Sequence, residues 1–241
     1  MTAIQPPALS VHVQRQYAQA PEGVAVRVAG TLAGIRTCVV DHAPETRGTL
    51  PVGSVEFVRE ALRRQGARVP APIDYPPSLD RFLHRRIERL TLKDAAMRAG
   101  VWVKPCAEKA FDPGTPGALL ESGISPDAPV WASNTVDWLC EYRCYVCRGE
   151  GLWMHRYDPD GADDAPEPGL DTVRQMIALY AASGESPEGY GLDVGVLSTG
   201  ETALVEINDG YGLGYYGPVE TVRAKGWLAL LAARYQQLLL V

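Results

Sequence analysis

The sequence predicts an α+β fold built largely on antiparallel sheet. Beyond residue 100, short apolar runs of strand character alternate with loops rich in Gly, Pro and Asp. Residues 191–208 read as a hairpin, the connection that joins antiparallel strands. Separate segments carry apolar residues at helical spacing. The 241 residues suffice for one large domain or two small interlocked ones.

Residues 1–20, rich in Gln, Ala and Pro, are expected to be poorly ordered. Val24–Val28 and Arg36–Val40 read as short strands with Gly30 and Gly34 between them, and 41–53 as a loop. Ser54 is a good helix N-cap, and Val55, Val58 and Leu62 give a stripe that stops at Gly66. Four prolines make 70–77 an extended connector. Leu79, Phe82, Leu83, Ile87 and Leu90 share the spacing of one helix face, so a second helix is expected there. Strands follow at Val101–Lys104, Val130–Ser133, Leu139–Cys147 and Leu152–Tyr157. Residues 158–169 are expected to be a mobile loop, Leu170–Ala182 a helix, and the apolar Gly226–Val241 a packed core helix.

The hairpin carries the strongest chemical signal. With Thr199-Gly200 as a two-residue turn, Asp193 falls opposite Glu206, their Cβ atoms about 4.5–5.5 Å apart. Val194 then opposes Val205 and Val196 opposes Ala203 on an apolar face. Asn208, two residues after Glu206, shares its face. Opposed carboxylates repel, and a divalent cation between them would remove that cost. Two carboxylates and an amide oxygen are hard ligands that suit Mg²⁺ beside phosphates. A solvated face that tolerates its charges is the alternative.

Lys104 ends an apolar strand and is either a surface lysine or a point-charge contact to phosphate. Lys93 and Lys109 are weaker candidates of the same kind. Glu141, Arg143 and Tyr145 share one strand face. Arg143 suits a bidentate grip on phosphate or carboxylate, or else a cross-strand ion pair, and Arg156 on the next strand is expected to face the same site. Cys140, Cys144 and Cys147 have the spacing of a radical iron–sulfur cluster motif. They lie on a strand, however, where Cys144 and Cys147 point to opposite faces, so buried structural thiols are the better reading. Gly210–Gly217 is rich in Gly and Tyr but lacks the GK[ST] of a phosphate loop; it reads as a flexible loop near the site or a turn.

Composition narrows the class. A formal net charge of −6 argues against a nucleic-acid binder. No run of about 18 apolar residues and no secretory signal is visible, so neither membrane association nor secretion is expected. Five cysteines do not make a disulfide scaffold and suit a reducing cytoplasm.

Taken in order, Pro51–Val58, Tyr75–Leu79, Val101–Pro105, Val130–Ser133, Glu141–Arg143, Leu192–Val196 and Val205–Asn208 resemble the ATP-grasp superfamily, in a small branch found in bacteria and their phages. The resemblance implies two α+β subdomains with largely antiparallel sheets clasping ATP. The core would be 93–241, divided near 133, behind an N-terminal α/β region at 21–92. It implies Lys104 and Lys93 as ATP lysines, Trp131, Ala132 and Ser133 as the hinge whose backbone meets adenine, Glu141 at the nucleotide and Arg143 at phosphate. Asp193, Glu206 and Asn208 would bind Mg²⁺, with Mn²⁺ as a substitute. The implied chemistry joins a small-molecule or peptide carboxylate to an amine through an acyl phosphate, with Arg156 holding the acyl phosphate or carboxylate. A non-catalytic ATP-binding module and an ATP-grasp phosphotransferase are the alternatives. Larger ATP-grasp ligases carry a more extensive N-terminal domain for the acid. Here a second copy of the chain, a partner protein or the 158–169 loop is expected to help.

Overall fold

The computed structural model describes residues 10–107, 109–158 and 164–240, which form three sheets. The first is a parallel sheet in the order β2-β1-β3, from β1 (Ser10–Gln14), β2 (Thr37–Val40) and β3 (Thr49–Val52). Its helices are α1 (Pro21–Ala33) and α2 (Val55–Arg64). The central strand β1 lies within the stretch expected to be poorly ordered; residues 1–9 lie outside the described residues.

Two expectations are corrected in this region. Val24–Val28 belongs to α1, not to a strand. Pro21 opens the helix where its missing N–H costs nothing, Gly34 closes it at φ +66°, and Ala25, Val26, Ala29 and Gly30 make one buried face. β3 lies inside the expected 41–53 loop. Its Pro51 obscures it, but β3 is an edge strand, where proline is tolerated. The Ser54 cap is as expected: its hydroxyl accepts from Phe57 N at 3.2 Å.

The connector leads to a third correction. The expected helix over 79–90 is a 3-10 turn (Pro77–Phe82) followed by β4 (Ile87–Thr91). His84, at φ +50°, interrupts any helix there. Leu79, Phe82 and Leu83 are buried from the turn, while β4 pairs with β6.

The small antiparallel sheet runs β4-β6-β5, with β5 (Val101–Pro105) and β6 (Pro129–Asn134). Leu92 and Ala95 of α3 (Leu92–Ala96) and Leu119 of α4 (Pro116–Glu121) pack on Val103, Val130 and Ala132. The large antiparallel sheet runs β10-β9-β7-β8, from β7 (Trp138–Cys147), β8 (Glu150–Arg156), β9 (Gly189–Leu197) and β10 (Thr202–Asp209). One face, with Cys144, Val146, Leu192 and Val194, packs on α5 (Leu170–Ser183). Tyr145 on the other joins α6 (Thr221–Leu239), α1 and α2 in a second core. No helix of the described residues is long and apolar enough to cross a membrane. All five cysteines are free thiols, and burial pushes that of Cys144 up to about 12, far from a cluster-binding thiolate.

Candidate active site

The hairpin places Asp193 opposite Glu206, by a route different from the expected one. Its tip is a three-residue loop: Leu197 N donates to Glu201 O at 2.9 Å, and Gly200 takes φ +96°. Val194 therefore opposes Leu204, and Val196 opposes Thr202, not Val205 and Ala203. A bulge at Val205 then adds one residue to β10 and returns Glu206 to Asp193. Asn208 Nδ2 donates to Asp193 Oδ2 at 2.9 Å and to Glu206 Oε1 at 3.0 Å, so the three expected metal ligands form one connected group.

Two of the expected phosphate cations, Arg143 and Lys104, are each bound to one of these acids. Arg143 lies opposite Asp193 on β7, and its Nε and a terminal nitrogen each donate to the carboxylate at 2.7 Å. Asp193 is 1% exposed and Arg143 8%. Burial opposes the Arg143 charge, but Asp193 outweighs it and raises the Arg143 pKa further. The Tyr157 and Tyr216 rings flank the guanidinium at 5.6 and 5.1 Å. Lys104, on β5, reaches across from the small sheet to donate to Glu206 and, at 2.5 Å, to Asp74 Oδ1. Burial again opposes the ammonium, but Glu206, Tyr75 and Asp74 raise its pKa, while Lys104 holds partly buried Glu206 below the usual carboxylate range.

Two cavities meet at Lys104 and Glu206. One, about 450 Å³, is lined by Tyr75, Arg85, Trp131, Trp138, Glu141 and Tyr157, by Asn134 at the end of β6, and by Thr135 and Val136 of the linker that joins the sheets. Glu141 sits there, accepting from the Tyr157 hydroxyl at 2.5 Å, and burial raises its pKa. The other, about 590 Å³, runs from Arg143, Asn208 and Asp209 toward Lys109, Glu22 and Ser54, so the N-terminal sheet's helices form its far wall.

Other expected residues fall differently. β6 is the central strand of its sheet, so the backbone of Trp131, Ala132 and Ser133 is taken up by β4 and β5. The side chains of Trp131 and Ser133 reach the smaller cavity, and Ala132 faces the core. Lys93 is 57% exposed and paired with Asp127. Arg156 opposes Tyr142 across the β7–β8 ladder, on the face away from Arg143, and pairs with Asp158 at 2.8 Å; His155 is the residue opposite Arg143. Of the 158–169 stretch, 159–163 lie outside the described residues. Asp74, Tyr75, Arg85, Tyr157 and Tyr216 were not anticipated as site residues. Two of them carried a signal, Tyr216 as part of the Gly/Tyr loop and Tyr75 as the first residue of the Tyr75–Leu79 stretch.

A divalent cation fits this donor set. No three His, Cys, Asp or Glu side chains form a metal cage among the described residues. Two carboxylates and an amide oxygen are hard donors, an incomplete shell of the kind Mg²⁺ would accept with ligand oxygens completing it. Glu206 and Asn208 line the larger cavity, and Asp193 lies directly behind them.

Two antiparallel sheets thus face each other across a cluster of cations and carboxylates, and solved structures share the fold. D-alanine–D-alanine ligase from Bacillus anthracis is similar with a TM-score of 0.57 at 12% identity, covering 96% of this chain and 99% of that one. The macrocyclase MdnC from Microcystis aeruginosa MRC, bound to its precursor peptide MdnA, is similar with 0.56 at 11%, covering 92% and 99%. The D-cycloserine synthetase DcsG gives 0.56 at 14%, covering 93% and 99%. No curated protein matches by sequence. The family model described as an ATP-grasp domain, family 2 of its clade, matches residues 82–223, more than half of the chain, and the chain belongs to that family.

Proposed function

We propose that this protein is an ATP-dependent ligase that joins a carboxylate to an amine through an acyl phosphate. The observation that carries the reading is the meeting of two cavities at Lys104 and Glu206, with Arg143 lining the larger one. The smaller cavity, with its aromatic walls, takes the nucleoside. The larger takes the acid and then the amine. Lys104 and Arg143 bind the transferring phosphate, each exchanging a carboxylate partner for phosphate oxygens. Glu206, Asn208 and Asp193 would hold Mg²⁺, which supplies charge neutralisation of the phosphates when bound. A substrate carboxylate oxygen attacks the γ-phosphorus and ADP leaves. The amine attacks the acyl carbon, phosphate departs with the bonding pair, and the nitrogen loses a proton. The cluster needs no covalent nucleophile; its groups position and neutralise.

Among structures of this fold, a D-alanine–D-alanine ligase is complexed with ATP, and the ATP-grasp ligase PsnB with Mg, ADP and a precursor variant. Those complexes support Mg-ATP as co-substrate, and small acids or peptides as the class of acceptor. The test is a melting-temperature series with ATP plus Mg²⁺, ATP plus EDTA, and Glu206→Gln. A ligand at about 100 times its Kd stabilises the folded state by about 2.7 kcal/mol, several degrees for a chain of this size. A rise that needs Mg²⁺ and is lost in Glu206→Gln is expected. Carboxylate and amine mixtures are then scanned for ADP release. A stable phosphorylated product without amide would identify a phosphotransferase, and no wild-type shift would overturn the reading.

A further inference from the structure

Among the described residues, Asp74 touches the strands of both nucleotide-facing sheets from outside them. It lies in the proline-rich connector between the N-terminal sheet and β4, in left-handed backbone at φ +56°. A non-glycine residue is held there only where its surroundings over-determine it, although aspartate tolerates the region better than most. Three sets of bonds hold this one. Its main chain forms an isolated antiparallel bridge to β10: Ile207 N donates to Asp74 O at 2.8 Å, and Asp74 N to Ile207 O at 3.2 Å. Ile207 is the residue between Glu206 and Asn208. Asp74 Oδ1 accepts from Lys104 Nζ on β5 at 2.5 Å, and Oδ2 accepts from Trp131 Nε1 on β6 at 2.8 Å. The neighbouring Tyr75 places its ring 4.8 Å from the same ammonium.

The consequence concerns what holds Lys104 while the site works. Lys104 has two anionic partners, Asp74 and Glu206. If Glu206 turns to a metal, Asp74 is the anion that stays. Its two oxygens are divided between Lys104 and Trp131, and its backbone is tied to β10, so it cannot follow the lysine outward.

We propose that Asp74 is a positioning residue, which holds the Lys104 ammonium at the junction of the two cavities and fixes it relative to Glu206 and Asn208 through the bridge to Ile207. The effect of Asp74 on nucleotide affinity rests on Lys104 being a phosphate contact; its grip on Lys104 does not.

Asp74→Asn keeps a side chain that suits left-handed backbone and one carbonyl acceptor, and removes the charge. The Kd for Mg-ADP, read by tryptophan fluorescence, is expected to rise about tenfold, the size of one charge-assisted hydrogen bond. In a Lys104→Gln background the same change should alter Kd less than about twofold, because a residue that acts through Lys104 has nothing left to position. Equal losses in both backgrounds would mean that Asp74 serves the fold alone. A second measurement needs no nucleotide. Acetylation of Lys104 by acetic anhydride, followed by mass spectrometry, should be several-fold faster in Asp74→Asn than in wild type, with exposed Lys225 unchanged. Asp74→Gly, better suited still to φ +56°, should match it. Equal Lys104 rates in wild type and both variants overturn the proposal. A wild type that binds no Mg-ADP overturns the proposed function instead, and the labelling comparison still decides the role of Asp74.

Discussion

Arg143 and Asp193 share two hydrogen bonds of 2.7 Å where neither is more than 8% exposed, and this pair is bound to the fold as well as to the site. Removing one partner strands the other in a medium that cannot solvate it. Arg143→Ala is therefore expected to cost about 3–5 kcal/mol in urea unfolding, besides its effect on nucleotide binding. The sharing of one face by Glu141 and Arg143 was legible because a strand alternates its side chains strictly. The facing of Asp193 and Glu206 was reached through a two-residue turn that the hairpin does not have, and it holds because the longer loop and the bulge at Val205 offset each other. Arg156 was misplaced because the phase between β7 and β8 is set by where the ladder begins, which strand composition does not encode. Asp74 was invisible for a different reason: its partners lie 30, 57 and 133 positions further along the chain, and only the path of the connector brings them together.

Elements with local signals were readable, and elements defined by what they pack against were not. Ser54 announced α2 through a cap that a hydroxyl makes within three residues. The segment 79–90 has helical spacing, yet becomes a turn and a strand because β6 offers it a ladder. Val24–Val28 has strand composition, yet lies on a helix packed against α6. The join between β9, β10 and α6 is tighter than any local rule requires. A Cβ on Gly210 would lie 2.2 Å from Gly189 O, and one on Gly189 2.4 Å from Leu230 O. Both neighbours are backbone and cannot turn aside. Gly210→Ala should destabilise by at least the ~1–3 kcal/mol typical of overpacking, measured by chemical unfolding.

For the whole molecule, the cleft is held together by charge. Lys104 joins the small sheet to Glu206 on the large one, and holds that carboxyl below its ordinary value of 4.5 although it is partly buried. An acid whose pKa is depressed by folding adds stability that is complete above its unfolded pKa and is lost as pH falls through the folded one. Melting temperature should therefore fall as pH drops below about 4.5 in wild type. The fall should be shallower in Glu206→Gln, which lacks that titration. An identical acid limb in both proteins would show that the pair does not contribute.

The bulge at Val205 has a bearing on how the gene can change. Between the hairpin tip and the acid pair, one arm runs from Asp193 to Leu197 and the other from Glu201 to Glu206, one residue longer. That spare residue is slack. A single-codon deletion of Val205 would straighten β10 into a regular ladder and leave Glu206 opposite Asp193. A deletion of Gly195 would carry Asp193 out of step with both β10 and Arg143. A scan of one-residue deletions, scored by soluble yield and Mg-ATP stabilisation, should find the hairpin tolerant on one arm and intolerant on the other. Length variation during divergence would then be confined to the strand that carries the bulge.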